Sequence, residues 1–135
     1  MSEARGKEKD LHSLGQEVRD LALIRMERLV EVARVVGEAL CRELKMNQIR
    51  RFLDGVRRIE SQLKGKTPFD QLKDEIILLR PQLAYAVGRE KKVKPLMDVL
   101  DPAISSGAQT RENFEKLLRL VEGIVAYHRF YGGTN

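Results

Sequence analysis

The chain has 135 residues, 42% hydrophobic and 33% charged, with 4 prolines, one cysteine and a net charge of +5. That is the size and balance of a single soluble globular domain, and no apolar run reaches the roughly 18 residues a membrane span needs. The N-terminal MSEARGKEKD mixes both charge signs without an apolar stretch, so no signal peptide is expected, and the lone Cys41 excludes an internal disulfide and fits a reducing cytoplasm.

Spacing of three and four residues between apolar side chains recurs throughout and strict alternation is absent, which predicts an all-α fold. The expected architecture is a small bundle of about five helices, one domain over 1–135, with residues 1–9 disordered and a long N-terminal helix over 10–44. Within that helix Ala22, Met26, Leu29, Ala33, Val36 and Leu40 form a heptad seam. Leu21, Leu23, Ile24, Val30, Val32 and Val35 widen the apolar surface beyond what one neighbour covers. Two readings follow: a central core helix, or a helix that packs partly on a second protomer, giving a dimer built on residues 14–44.

A second helix is predicted from Asn47, as N-cap, to Leu63, burying Ile49, Phe52, Leu53, Val56, Ile59 and Leu63. Its other face carries Arg50, Arg51, Asp54, Arg57 and Arg58, and the loop Lys64-Gly65-Lys66 follows. Thr67 is expected to cap a third helix, with Pro68 at its first position and Asp70 three residues after the cap. That helix should stop or kink before Pro81, with a short continuation ending at Gly88. After a basic connector, Arg89-Glu90-Lys91-Lys92, a fourth helix starts near Val93 and buries Leu96, Met97, Leu100 and Ile104, with a break near Asp101-Pro102. Residues 105–109 read as a loop. Thr110 caps the last helix, whose core stripe is Phe114, Leu117, Leu118, Val121, Ile124, Val125 and His128, and Gly132-Gly133 ends it.

Charge is concentrated. Residues 1–44 sum to −1 and residues 67–135 to +1, while residues 45–66 hold seven cations (Lys45, Arg50, Arg51, Arg57, Arg58, Lys64, Lys66) against Asp54 and Glu60, a sum of +5. Such a patch is the footprint expected for a polyanion. Arginine suits that partner because its planar group binds phosphate through two N–H groups and also stacks on bases. A solvated face is the plainer reading, but salt-bridged faces usually alternate sign and this one does not.

Catalytic signals are missing. Two histidines and one cysteine far apart do not have zinc-site spacing, and no phosphate-cradling glycine loop or nucleophile motif occurs. Cys41 reads as a buried thiol, His128 as a partly buried packing residue, and Asp74-Glu75 as solvated carboxylates. Neither enzyme activity, a cofactor nor a metal is expected.

Three ordered segments carry a resemblance: Asn47-Gln48-Ile49-Arg50-Arg51-Phe52-Leu53, Leu83-Ala84-Tyr85-Ala86-Val87-Gly88-Arg89, and Ala126-Tyr127-His128-Arg129-Phe130-Tyr131-Gly132-Gly133. With Val99–Ile104 and Glu112-Asn113-Phe114 they resemble the small-subunit family of type III-A (Csm) CRISPR effector complexes, over residues 47–133. The resemblance implies a helical protein without an active site, present in several stacked copies beside other Csm subunits, in the groove where guide RNA pairs with target RNA. Cleavage and cyclic oligoadenylate synthesis would belong to other subunits. On this chain the motif cations Arg50, Arg51 and Arg89 become the candidates for RNA backbone contact, while Arg57, Arg58, Lys91 and Lys92 enter through charge alone. Tyr85, Tyr127 and Tyr131 are read as packing residues. Two other readings stand beside this one: a helical homo-oligomeric scaffold for an acidic protein partner, and a regulator binding duplex DNA, which no helix-turn-helix spacing supports.

Overall fold

The computed structural model describes residues 11–135, so the expectation for residues 1–9 lies outside it. Residues 11–18 are helical (α1). They are followed by α2 (Met26–Leu40), α3 (Met46–Lys64), α4 (Phe69–Ile77), α5 (Leu79–Arg89), a 3-10 turn (Lys91–Val93), α6 (Lys94–Gly107) and α7 (Arg111–Phe130). No strand occurs among the described residues, and no helix among them is long and apolar enough to cross a membrane. The chain is all-α, as its periodicity predicts.

The last helix organises the others. α7 packs most extensively on α2, then on α6 and α3, and its stripe Phe114, Leu117, Leu118, Leu120, Val121 and Ile124 is almost wholly buried. Each such side chain contributes about 1.5–3 kcal/mol relative to exposure. One cluster of buried apolar side chains runs through all seven helices. Thr110 caps α7 as expected, its Oγ1 accepting the Asn113 N–H at 3.0 Å.

α2 and α7 meet at glycine. A Cβ on Gly37 would lie 2.7 Å from the His128 backbone nitrogen and 2.8 Å from the Tyr127 Cβ, and a Cβ on Gly123 would lie 2.7 Å from the Ala33 Cβ. Alanine is the better helix former by about 1 kcal/mol, but here it forces two backbones apart, an overpacking cost of roughly 1–3 kcal/mol or more. Gly37→Ala is therefore expected to lower the thermal midpoint by roughly 5–10 °C. A midpoint equal to or above the parent's, followed by circular dichroism, would show that the crossing is looser than described.

Several local expectations change. The single helix over 10–44 is divided: residues 19–25 leave helical geometry between α1 and α2. The Leu21 N–H donates to the buried Ser106 Oγ at 2.9 Å, and the Lys116 ammonium donates to the carbonyls of Leu21 and Ile24, both at 2.7 Å. These distant side chains take backbone groups that a continuous helix would pair internally. The seam divides with it: Leu29, Ala33, Val36 and Leu40 are buried, whereas Ala22 and Met26 are exposed.

α3 starts one residue before Asn47, with Lys45 as its cap residue, whose N–H donates to the Gln48 Oε1 at 2.9 Å. Pro68 rather than Thr67 stands at the cap of α4. The α4–α5 break falls at Leu78, and Pro81 becomes the third residue of α5, where no intrahelical N–H bond is required. The helix continues through Gly88 to Arg89. α6 likewise runs unbroken through Pro102 and takes in Ser105 and Ser106, so the loop shrinks to residues 108–110. Pro102 leaves the Asp98 carbonyl without its helical donor. Gly15 of α1 sits against that carbonyl, close enough that a Cβ there would overlap it.

Candidate nucleic-acid interface

α3 is amphipathic along its whole length. Met46, Ile49, Phe52, Leu53, Val56, Ile59 and Leu63 are buried, which turns Arg50, Arg51, Asp54, Arg57 and Arg58 outward, and all five are exposed. The helical period thus converts a charge cluster in sequence into a surface.

Tertiary neighbours split that surface into two edges. A Cβ on Gly55 would lie 3.4 Å from the Leu79 side chain and 4.0 Å from the Gln82 Oε1, so α5 crosses α3 at Gly55. At about 3.6 residues per turn, Arg51 and Arg58 stand one turn before and one turn after that crossing, on the α5 side. Arg50 and Arg57 lie on the other edge, where the Arg57 Nη2 meets the Glu122 Oε2 of α7 at 3.4 Å. Glu122 is shared: the Arg119 guanidinium holds its other oxygen at 2.7 Å, and that hydrogen bond, then Coulomb attraction, raises the Arg119 pKa above the ordinary arginine value. Arg57 is the weaker partner of an already engaged carboxylate.

The remaining candidates surround α3. Lys45 stands at its N-terminal end and Lys64 is its last residue, 3.7 Å from Glu60. Lys66 follows in the C-terminal turn with a left-handed φ of 74°. Arg89 ends α5, and Lys91 and Lys92 lie in the 3-10 turn, where the Lys92 N–H donates to the Glu90 carboxylate at 3.3 Å. All ten candidate cations are exposed. Among the described residues, Arg57 and Lys64 alone of the ten have a carboxylate within ion-pair distance. α3 has 19 residues, a length of about 28 Å at ~1.5 Å per residue. A partner that engages both ends must itself be extended.

Residues outside this surface behave differently from their sequence reading in three cases, His128, Tyr85 and Cys41, the last being half-buried rather than a buried thiol. His128 is fully rather than partly buried. Its Nε2 donates to the Leu44 carbonyl, its Nδ1 has no partner, and Gly133 packs directly on the ring. With the Met46 N–H donating to the Thr134 carbonyl at 2.7 Å, the C-terminal residues brace the α2–α3 junction. Tyr85 is not a packing residue: it is 69% exposed, with the Arg89 guanidinium 6.0 Å from its ring centre. The sequence held the sign of this, since Tyr85 falls off the Leu79–Leu83 stripe that α5 buries. Tyr127 and Tyr131 are half-buried, the latter accepting a hydrogen bond from Arg34 at 3.1 Å. Asp74 and Glu75 are exposed. Among the described residues, no group of three or more His, Cys, Asp or Glu side chains is placed to hold a metal.

A protein of Streptococcus thermophilus named CRISPR system Cms protein Csm2 is 33% identical over 95 residues, covering 68% of this chain and 76% of that protein. The family described as Csm2 Type III-A matches residues 24–134, which span α2 to α7 and every candidate cation. The chain belongs to the type III-A Csm2 family.

Proposed function

We propose that the chain is a non-catalytic RNA-binding subunit of a type III-A CRISPR ribonucleoprotein, acting in the cytoplasm in antiviral defence. Its cations neutralise the backbone of guide and target RNA, while base pairing between the two strands supplies sequence recognition. The observation that carries this reading is the exposed surface of α3, where Arg50, Arg51 and Arg58 have no carboxylate within ion-pair distance among the described residues. A face whose role is only to keep the protein soluble needs no such excess of one sign. Other Csm subunits, and further copies of the chain, are the protein partners. The exposed apolar side chains Leu23, Met26 and Val30 offer them a surface beside α2.

Binding of the purified protein to single-stranded RNA is expected to be weak, indifferent to sequence and steeply dependent on salt. Three or four phosphate contacts give a log–log salt slope of roughly −2 to −3. Fluorescence anisotropy with a labelled oligoribonucleotide measures it, and binding that stays flat as salt rises would overturn the reading. An acidic protein partner on the same surface is separated from it by nuclease treatment: RNase dissolves a native complex held by RNA and leaves a protein–protein complex intact.

A further inference from the structure

We propose that Tyr85 is a stacking platform for an unpaired base of the RNA whose phosphates the α3 arginines contact. The proposal rests on the RNA reading above and adds to it a contact with a base rather than with backbone. Tyr85 is the exposed aromatic of α5, at 69%, in a helix that buries Leu79 and Leu83 and has no need of it for packing. Its surroundings are cationic and small. Arg89, one turn on, holds its guanidinium 6.0 Å from the ring centre, and Lys91 and Lys92 follow directly.

Gly88 is the neighbour on the other side of that turn. It lies inside the helix, where glycine costs stability relative to alanine, yet a Cβ there would meet nothing within 4 Å. The fold itself does not require a glycine at 88. This glycine leaves a bare helix surface one turn from Tyr85, with room for a flat group beside the ring. The position of Tyr85 also ties it to the phosphate surface. Gln82 faces Gly55 of α3, and Tyr85 and Arg89 follow Gln82 by one and two turns along the same flank of α5. Arg51 and Arg58 border the crossing from the α3 side. A strand whose phosphates meet those arginines therefore passes the flank that carries the exposed ring. Aromatic rings beside cations are the general means by which proteins hold single-stranded nucleic acid without reading sequence.

The test compares two probes of equal length and charge, a labelled single-stranded oligoadenylate and its abasic ribose–phosphate counterpart, on the full chain. The parent protein is expected to bind the base-bearing probe on the order of tenfold more tightly than the abasic one. Tyr85→Ala should remove that preference and leave abasic binding and the salt slope unchanged, whereas Tyr85→Phe should keep the preference. An exposed side chain leaves the fold intact when replaced, and an unchanged thermal midpoint checks this. If Tyr85→Ala retains the preference while replacement of the α3 arginines abolishes binding, the platform is wrong and the phosphate surface stands. If the parent binds neither probe, the RNA reading fails and the platform falls with it.

Discussion

Replacing Arg50, Arg51, Arg57 and Arg58 together by alanine is expected to lower affinity for single-stranded RNA on the order of a hundredfold near 0.1 M salt. Each phosphate contact on a single strand adds about 0.7 to the salt slope, which at that salt corresponds to roughly fivefold in affinity. Three such contacts account for the loss, and the magnitude of the residual slope should fall below about 1. Helicity should be retained, because all four side chains point outward from α3 and alanine is the best helix former. The arrangement further divides the effect. Arg51 and Arg58 flank the α5 crossing without a carboxylate partner among the described residues, whereas Arg57 shares Glu122 with Arg119. The pair Arg51→Ala and Arg58→Ala should therefore weaken binding more than Arg50→Ala and Arg57→Ala. Normal RNA binding by the fourfold variant would remove α3 from the interface altogether.

The Lys116→Met variant should lose about 2–3 kcal/mol of stability, roughly 10 °C in midpoint. The ammonium makes two charge-assisted bonds of 2.7 Å, to the carbonyls of Leu21 and Ile24, and both of those residues are buried. Methionine keeps an apolar stem of similar length but leaves both carbonyls without their donor. The loss should appear first in α1, whose connection to α2 these bonds shape. Amide exchange within residues 11–18 is then expected to rise well before exchange in α7. An unchanged midpoint would mean that water replaces the ammonium at no cost, and that something else bends the chain at residues 19–25.

Much of the candidate interface was legible in the sequence because it depends on one helix alone. Ile49, Phe52, Val56, Ile59 and Leu63 mark the buried stripe of α3, and the outward placement of its arginines follows from the helical period. The same logic found the core stripe of α7 and its Thr110 cap. What escaped it depended on partners remote in the chain. No local signal separates Arg57 from Arg58, and only the arrival of Glu122 on one side and Gln82 on the other does so. The break expected before Pro81 does occur, three residues earlier at Leu78, whereas Pro102 reads as a break in sequence yet sits inside α6, leaving the Asp98 carbonyl against Gly15 without its helical donor.

By itself the sequence determined that this chain is helical, which faces α3 and α7 bury, and that its excess charge gathers on α3. Those properties follow from the spacing of residues a few positions apart, which a helix converts directly into faces. Tertiary structure alone decided where the N-terminal helix divides and how the arginines are apportioned. Residues 19–25 contain neither glycine nor proline, so nothing local opposes a continuous helix there. Ser106 and Lys116 reach that backbone from about 85 and 95 residues away, and hydrogen bonds with them outweigh the helical pairing they replace.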